Sequence, residues 1–251
     1  MNGPTAGGAA RSAGPAGRGE GHGDTPLWGI GQFTEGGRRA PYPVSAADIE
    51  ADTLAAGRAL ASLGIGRGHT VLFVSLVSEI VQVVPFHDAL GRLGGICSAA
   101  DATPFDASRT AKLVGQLHPR AVLGVNVDVL DGLEQGGFDL ADAFAGVPVL
   151  GAHPGAATRL EGAGLAPRIW AFLGPAVGVE CEPGAGAHVD EAIWIVEDEE
   201  GEIVVGPRAE RAIGPARYRT GVRGSVARER CGCGRADVRV RIAREAGPGA
   251  D

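Results

Sequence analysis

Three of the four cysteines and one histidine lie between Cys181 and Cys233, and their chemistry constrains the chain more than any other feature. Cys181 is followed seven residues later by His188, and after an intervening β-rich run the close pair Cys231 and Cys233 stands in Cys-Gly-Cys-Gly-Arg. Three thiolates and an imidazole are the ligand set of a closed, tetrahedral structural zinc site, with soft donors and no position left for water. Gly232 and Gly234 let the backbone turn tightly enough for both sulfurs to face one ion. The alternative is a disulfide, or three unrelated buried thiols. A Cys-x-Cys pair rarely bridges to itself, and no secretory signal marks the chain for an oxidising compartment, so zinc is favoured over the disulfide.

The length suits one good core, or one core with a satellite. No apolar run approaches a membrane span, so no membrane partner is expected. The net charge is -7, and no basic stripe precedes the arginines near the C-terminus, which argues against nucleic acid as a partner. Residues 1–24 are Gly, Ala, Pro and Arg with hardly a large apolar side chain; a disordered tail is expected there, and a flexible one at 243–251. The first of these segments also lacks the apolar run of a secretory signal, which predicts a cytoplasmic protein.

Between the tails the hydrophobic pattern changes once. Ser45 reads as the N-cap of a helix from Ala46 to Leu63, ended by Gly64 and Gly66. Strands at Val71–Leu76, Gly95–Ala99, Ala121–Val125 and Val147–Leu150 alternate with helices at Glu79–Leu93, Ser108–Leu117 and from about Asp128. This alternation predicts an α/β fold over 25–166, with a parallel sheet flanked by helices. From about Pro167 the segments become short and β-rich, predicting a smaller subdomain over 167–242 whose ends the metal would tie together.

The run Gly201-Glu202-Ile203-Val204-Val205 through Arg217-Tyr218-Arg219-Thr220-Gly221, the stretch from Leu173-Gly174-Pro175 to Glu180-Cys181 with His188 and Cys231-Gly-Cys-Gly-Arg, and Gly151-Ala152-His153-Pro154 together carry a family likeness. With these motifs the chain resembles the adenylate-forming superfamily in its phenylacetate-CoA ligase and coenzyme F390 synthetase-like branch, over roughly residues 28–242. The second motif is similar to the segment that holds zinc in several of these ligases, and the third to a Gly-Ala-Glu-Pro turn beside the adenine site.

The departures fall on the groups that handle ATP. Where the family has a Ser/Thr/Gly-rich phosphate loop, this chain has Gln32-Phe33-Thr34-Glu35-Gly36-Gly37-Arg38-Arg39, in which Glu35 would repel a triphosphate and Phe33 adds bulk. The family's Tyr-Gly-x-Ser/Thr-Glu, with its magnesium-binding carboxylate, is replaced at Pro167–Ala171 by Pro-Arg-Ile-Trp-Ala, and the ribose-binding aspartate by Val222, which accepts no hydrogen bond. The chain is expected to stop before the mobile C-terminal domain and its catalytic lysine, for which Lys112, the only lysine, is no substitute. The resemblance therefore implies a scaffold that handles acyl groups, on CoA or an acyl carrier protein, without ATP.

Cys97 is the cysteine left once a metal has taken three. Placed at the C-terminal end of a parallel strand, with His87 on the preceding helix and Asp101 just beyond, it would form a nucleophile, base and orienter able to attack an acyl thioester. Hydrolysis or cyclising release as a lactone or pyrone would follow. His153 is a second candidate base. The bland alternatives stand beside these: Cys97 as a small buried hydrophobe, His87 as a helix cross-link, Asp101 as a turn residue, His153 as drift in a disused site. His22, His69 and His118 receive no role. An enzyme acting on thioesters and a non-catalytic accessory protein that binds an acyl chain or a partner both remain open, and the face left by a missing C-terminal domain offers a surface for a homodimer.

Overall fold

The computed structural model describes residues 26–35, 38–214 and 216–243. The tails expected at 1–24 and beyond Ala243 lie outside the described residues, as do Gly36 and Gly37 of the loop likened to a phosphate loop. The chain opens with an antiparallel hairpin of β1 (Leu27–Glu35) and β2 (Arg38–Ser45). Ser45 then caps α1 (Ala46–Ser62): its hydroxyl accepts from the Asp48 N–H at 3.1 Å, while the Asp48 carboxylate accepts the Ser45 N–H at 2.9 Å. This reciprocal box satisfies two N–H groups at the helix start and fixes the helix boundary where the capping residue predicted it.

Four strands then alternate with helices: β3 (Thr70–Ser75), α2 (Ile80–Arg92) after a 3₁₀ turn at Val77–Glu79, β4 (Ile96–Asp101), α3 (Ala107–Leu117), β5 (Ala121–Val125), α4 (Val127–Gln135), α5 (Leu140–Ala143) and β6 (Val149–Ala152). After α6 (Pro154–Gly162) come β7 (Arg168–Leu173), β8 (Ala176–Glu180), the short β9 (Ala187–His188), β10 (Trp194–Glu199), β11 (Glu202–Pro207), β12 (Tyr218–Ala227) and β13 (Arg239–Ile242). Among the described residues the sheet holds eleven strands in the order β10-β11-β12-β13-β9-β8-β7-β6-β5-β3-β4. Pairing is parallel from β4 to β7 and antiparallel from β7 to β10. The change of pattern read at residue 167 is therefore the change of strand polarity at β7, within one continuous sheet. One apolar cluster runs from Leu72 in β3 to Val240 in β13, across that point.

The central strands are covered on both faces, which is why they read as unbroken apolar runs. Val71 and Phe73 face α1 and α2, meeting Leu60, Phe86 and Leu90; Leu72 and Val74 face the other layer with Leu130, Leu133 and Leu160. Each of these leucines is fully buried, and truncation of such a side chain to alanine costs about 2–5 kcal/mol. At Gly124, φ is +96° and an added Cβ would meet the Val74 carbonyl oxygen at 2.2 Å, so only glycine allows the register shift between Leu123 and Val125. Among the described residues no helix is long and apolar enough to cross a membrane.

Two sequence expectations change here. The strand expected at 95–99 runs from Ile96 to Asp101, so Cys97 is its second residue and stands near the N-terminal end, not the C-terminal end where a ligand-facing nucleophile would sit. β4 is also the sheet edge, so the thiol is exposed and does not serve as a core hydrophobe. Second, the loop likened to a phosphate loop is the hairpin itself, and it turns Phe33 inward.

Candidate metal centre and ligand cavity

Cys181 follows the last residue of β8, His188 ends β9, and Cys231 and Cys233 sit in the turn between β12 and β13. β9 pairs with both β8 and β13, which draws these three segments together. A tight turn closes at the cysteine pair, where the Gly234 N–H donates to the Cys231 carbonyl at 3.0 Å with Gly234 at φ +90°. The four ligand atoms all lie within 4.8 Å of one another. Cys181 Sγ is 3.5 Å from Cys231 Sγ, and Cys233 Sγ is 3.4 Å from His188 Nε2. A tetrahedral ion with Zn–S of ~2.3 Å sets its ligands about 3.8 Å apart, so the residues present fit one. No other such group of three or more forms among the described residues.

The surroundings hold the cluster in place. The Glu180 carboxylate accepts the N–H groups of Ile169 and Gly186, each at 2.8 Å, which folds the loop from Cys181 to His188 back on the sheet. The buried Arg239 donates to the Ala185 carbonyl at 2.9 Å and the Glu229 carbonyl at 3.0 Å, joining the two loops that carry the ligands. Burial, helped by Arg235, pushes His188 down to about 4, so its imidazole is neutral near pH 7 and free to ligate. Asp237, by its charge and through its backbone, works against that shift without reversing it. Burial, and then the crowding of the other two sulfurs, pushes the Cys181 thiol up to about 12. The Cys233 backbone N–H holds the Cys231 thiol below its ordinary value. A cation at the centre reverses that crowding by converting repelling thiolates into ligands.

His188 of the cluster lines a cleft whose enclosed space is about 40 Å³ and which reaches about 480 Å³ when its open mouth is counted. The other walls come from Ala55, Ala56 and Ala59 of α1, Val81, Pro85 and Phe86 of α2, and Val177 and Val179 of β8. Its polar groups are few. Asp52 is gripped by both terminal nitrogens of Arg211, at 3.1 and 2.6 Å, and that guanidinium stacks 4.6 Å above the Trp194 ring. Burial still outweighs the pair and pushes the Asp52 carboxyl up to about 6. Asp190 is paired with Arg58 at 2.7 Å. Gln82 and Arg235 are also in the lining; Gln82 Oε1 and Arg235 Nη1 are buried and have no partner among the described residues.

Two of the residues proposed for covalent chemistry, Cys97 and Asp101, stand apart. Cys97 and Asp101 lie four residues apart on one strand, about 13 Å by strand rise. Among the described residues the Cys97 thiol has one hydrogen-bond contact, with the Ser98 carbonyl at 3.9 Å, and burial raises its pKa, the wrong direction for a nucleophile. His87 lies against Phe73, 4.4 Å between ring centroids, with Nε2 buried and unpartnered, so it makes no cross-link there. Burial lowers its pKa. His153 is the N-cap of α6, its ring edge-on to Phe172 at 5.0 Å, and burial pushes it down to about 4. Phe33 is buried against Tyr218 and Tyr42, with centroids 5.5 and 5.8 Å apart, and Val222 is half-buried on β12 beside Thr220.

The cavity escaped the sequence reading because five separated segments build it. One signal was present: Gln82 interrupts the apolar run Ile80-Val81-Gln82-Val83-Val84 on a helix face that is otherwise core.

The fold has solved counterparts. A 2-hydroxyisobutyryl-CoA ligase in an open conformation, complexed with 2-HIB-AMP and CoA, superposes with a TM-score of 0.67 at 16% identity, covering 86% of this chain and 56% of that one. The ATP-bound RpMatB-BxBclM chimera B3 gives 0.54 at 14%, covering 87% and 48%. A long-chain-fatty-acid CoA ligase from Rhodopseudomonas palustris CGA009 gives 0.50 at 14%, covering 85% and 58%. No protein-family model and no curated protein sequence matches the chain. The fold is thus that of adenylate-forming acyl-CoA ligases, and the chain spans about half the length of the solved structures it matches.

Proposed function

We propose that this protein is an acyl-binding relative of the phenylacetate-CoA ligase and coenzyme F390 synthetase-like branch, holding an acyl group presented on CoA or an acyl carrier protein in the cytoplasm, without ATP and without a covalent intermediate. The observation that carries the reading is the mostly apolar cleft between α1, α2 and β8, open at its mouth and floored by a few polar groups. Cys181, His188, Cys231 and Cys233 hold a structural zinc ion that fixes the β8–β9 wall of that cavity; the ion supplies rigidity, since four protein ligands leave it no open position. Against ATP stand Phe33, which turns the hairpin likened to a phosphate loop into a packed aromatic contact, and Val222, which offers no acceptor to a ribose.

Binding is preferred over hydrolysis or cyclising release for a physical reason. A general base works best with a pKa near the operating pH, and His153, at about 4, holds a proton too weakly at neutral pH. The test is to incubate the protein with acyl thioesters of graded size, with and without ATP and magnesium, measuring bound ligand and free thiol together. Saturable binding with no thiol release supports the reading; thiol release that depends on Cys97 restores the covalent mechanism, and pyrophosphate release restores the ligase.

A further inference from the structure

The polar atoms of the cavity are not a random set. Gln82 is 5% exposed, donates its amide to the Gln32 carbonyl at 3.4 Å, and leaves Oε1 with no partner among the described residues. Beside it on α2, Val81 also lines the cavity, and the residue four positions on is Pro85, which has no N–H to give the Val81 carbonyl. Gln82 Oε1 is thus an unpaired acceptor in the lining, and Pro85 withholds from the Val81 carbonyl the N–H that a helix would ordinarily supply. A buried acceptor left unpaired is costly, and a native site carries that cost when a ligand supplies the donor. The carboxylates in the same lining are already paired, Asp52 with Arg211 and Asp190 with Arg58, so they make no competing claim on that donor. Arg235 Nη1 adds one unpaired donor to the lining.

Resting on the acyl-binding reading, we propose that the cavity selects acyl groups bearing a hydrogen-bond donor, a hydroxyl or an amide, over hydrocarbon groups of the same size, and that Gln82 Oε1 reads the donor. A group that both donates and accepts fits the lining better than a free carboxylate, which would meet Asp52 and Asp190.

The probes are N-acetylcysteamine thioesters of butyrate and of its 2-, 3- and 4-hydroxy derivatives, titrated into wild-type protein, Gln82→Leu and Gln82→Met, with zinc content and melting temperature checked for each. At least one hydroxy isomer should bind the wild type about tenfold more tightly than butyryl thioester, and both variants should bring that ratio close to one. The ratio is a double difference, so a loss of packing alone leaves it unmoved. Butyryl binding with no preference for any hydroxy isomer overturns the donor proposal and leaves acyl binding standing. A preference that survives in both variants removes Gln82 as its reader. Failure of all four thioesters to bind removes the acyl reading and this proposal with it.

Discussion

Replacing Cys231 with serine removes the sulfur 3.5 Å from Cys181 and should release the metal. Treated as a cross-link between positions 50 apart, the ion denies the unfolded chain that loop's freedom, worth about 4 kcal/mol. The eleven-stranded sheet has its own apolar core, so the domain should loosen locally and melt earlier, not unfold outright as a zinc finger does. For a chain of this size each kcal/mol moves the melting temperature by roughly 2–4 °C, which gives a fall of about 8–16 °C. The assay is thermal unfolding of wild type and Cys231→Ser, with and without chelator, paired with elemental analysis of protein made without added metal. Wild type should carry about one zinc per chain and fall to the variant's melting temperature on chelation, while the variant should not respond. A metal-free wild type, or a variant that keeps both its zinc and its melting temperature, refutes the reasoning.

Two further outcomes follow from single side chains. His153 keeps a folded-state value of about 4 against ~6.5 unfolded, so its contribution is whole above pH 6.5 and is lost as pH falls towards 4. Allowing for its partial exposure this is about 2–3 kcal/mol, and denaturant titrations at pH 7 and 4.5 should show a smaller acid loss in His153→Phe; an unchanged slope would place the titration elsewhere. Cys97 is the exposed cysteine of the four, so in zinc-loaded protein one thiol should react with a thiol reagent before unfolding, and Cys97→Ala should remove that reaction while changing stability by less than about 0.5 kcal/mol and leaving thioester binding intact.

Much of the parallel half was legible because local signals agree with the final packing. Ser45 and Asp48 mark the start of α1, and β5 and the middle of β3, Val71 to Val74, are apolar because helices cover both their faces. The Cys/His cluster was legible from residue type and spacing even though 50 residues separate Cys181 from Cys231. The end of β4 was not, because pairing with β3 decides it: Thr70 sets the register against Ile96, and the match runs on to Ser75 with Asp101. That extension leaves Cys97 second in the strand and Asp101 at its far end, which separates two members of the proposed triad. The hairpin was hidden because Leu27, Trp28 and Ile30 are exposed, so β1 lacks the alternation of a half-buried strand. The cavity was invisible for a different reason: its lining is set by how α1 and α2 lie on β8, a tertiary property with no local signature.

The claim that the cavity holds an acyl group is tested most directly by filling it. Ala55 lines the cavity on α1, and Ala55→Phe would place an aromatic ring in the space assigned to the ligand. Calorimetric titration with butyryl- and hydroxybutyryl-N-acetylcysteamine thioesters should give one saturable site in the wild type, and no measurable heat in an Ala55→Phe protein that still folds and retains its zinc. Equal binding by the two proteins would place the ligand elsewhere and contradict the account, as would a wild type that binds no thioester at all.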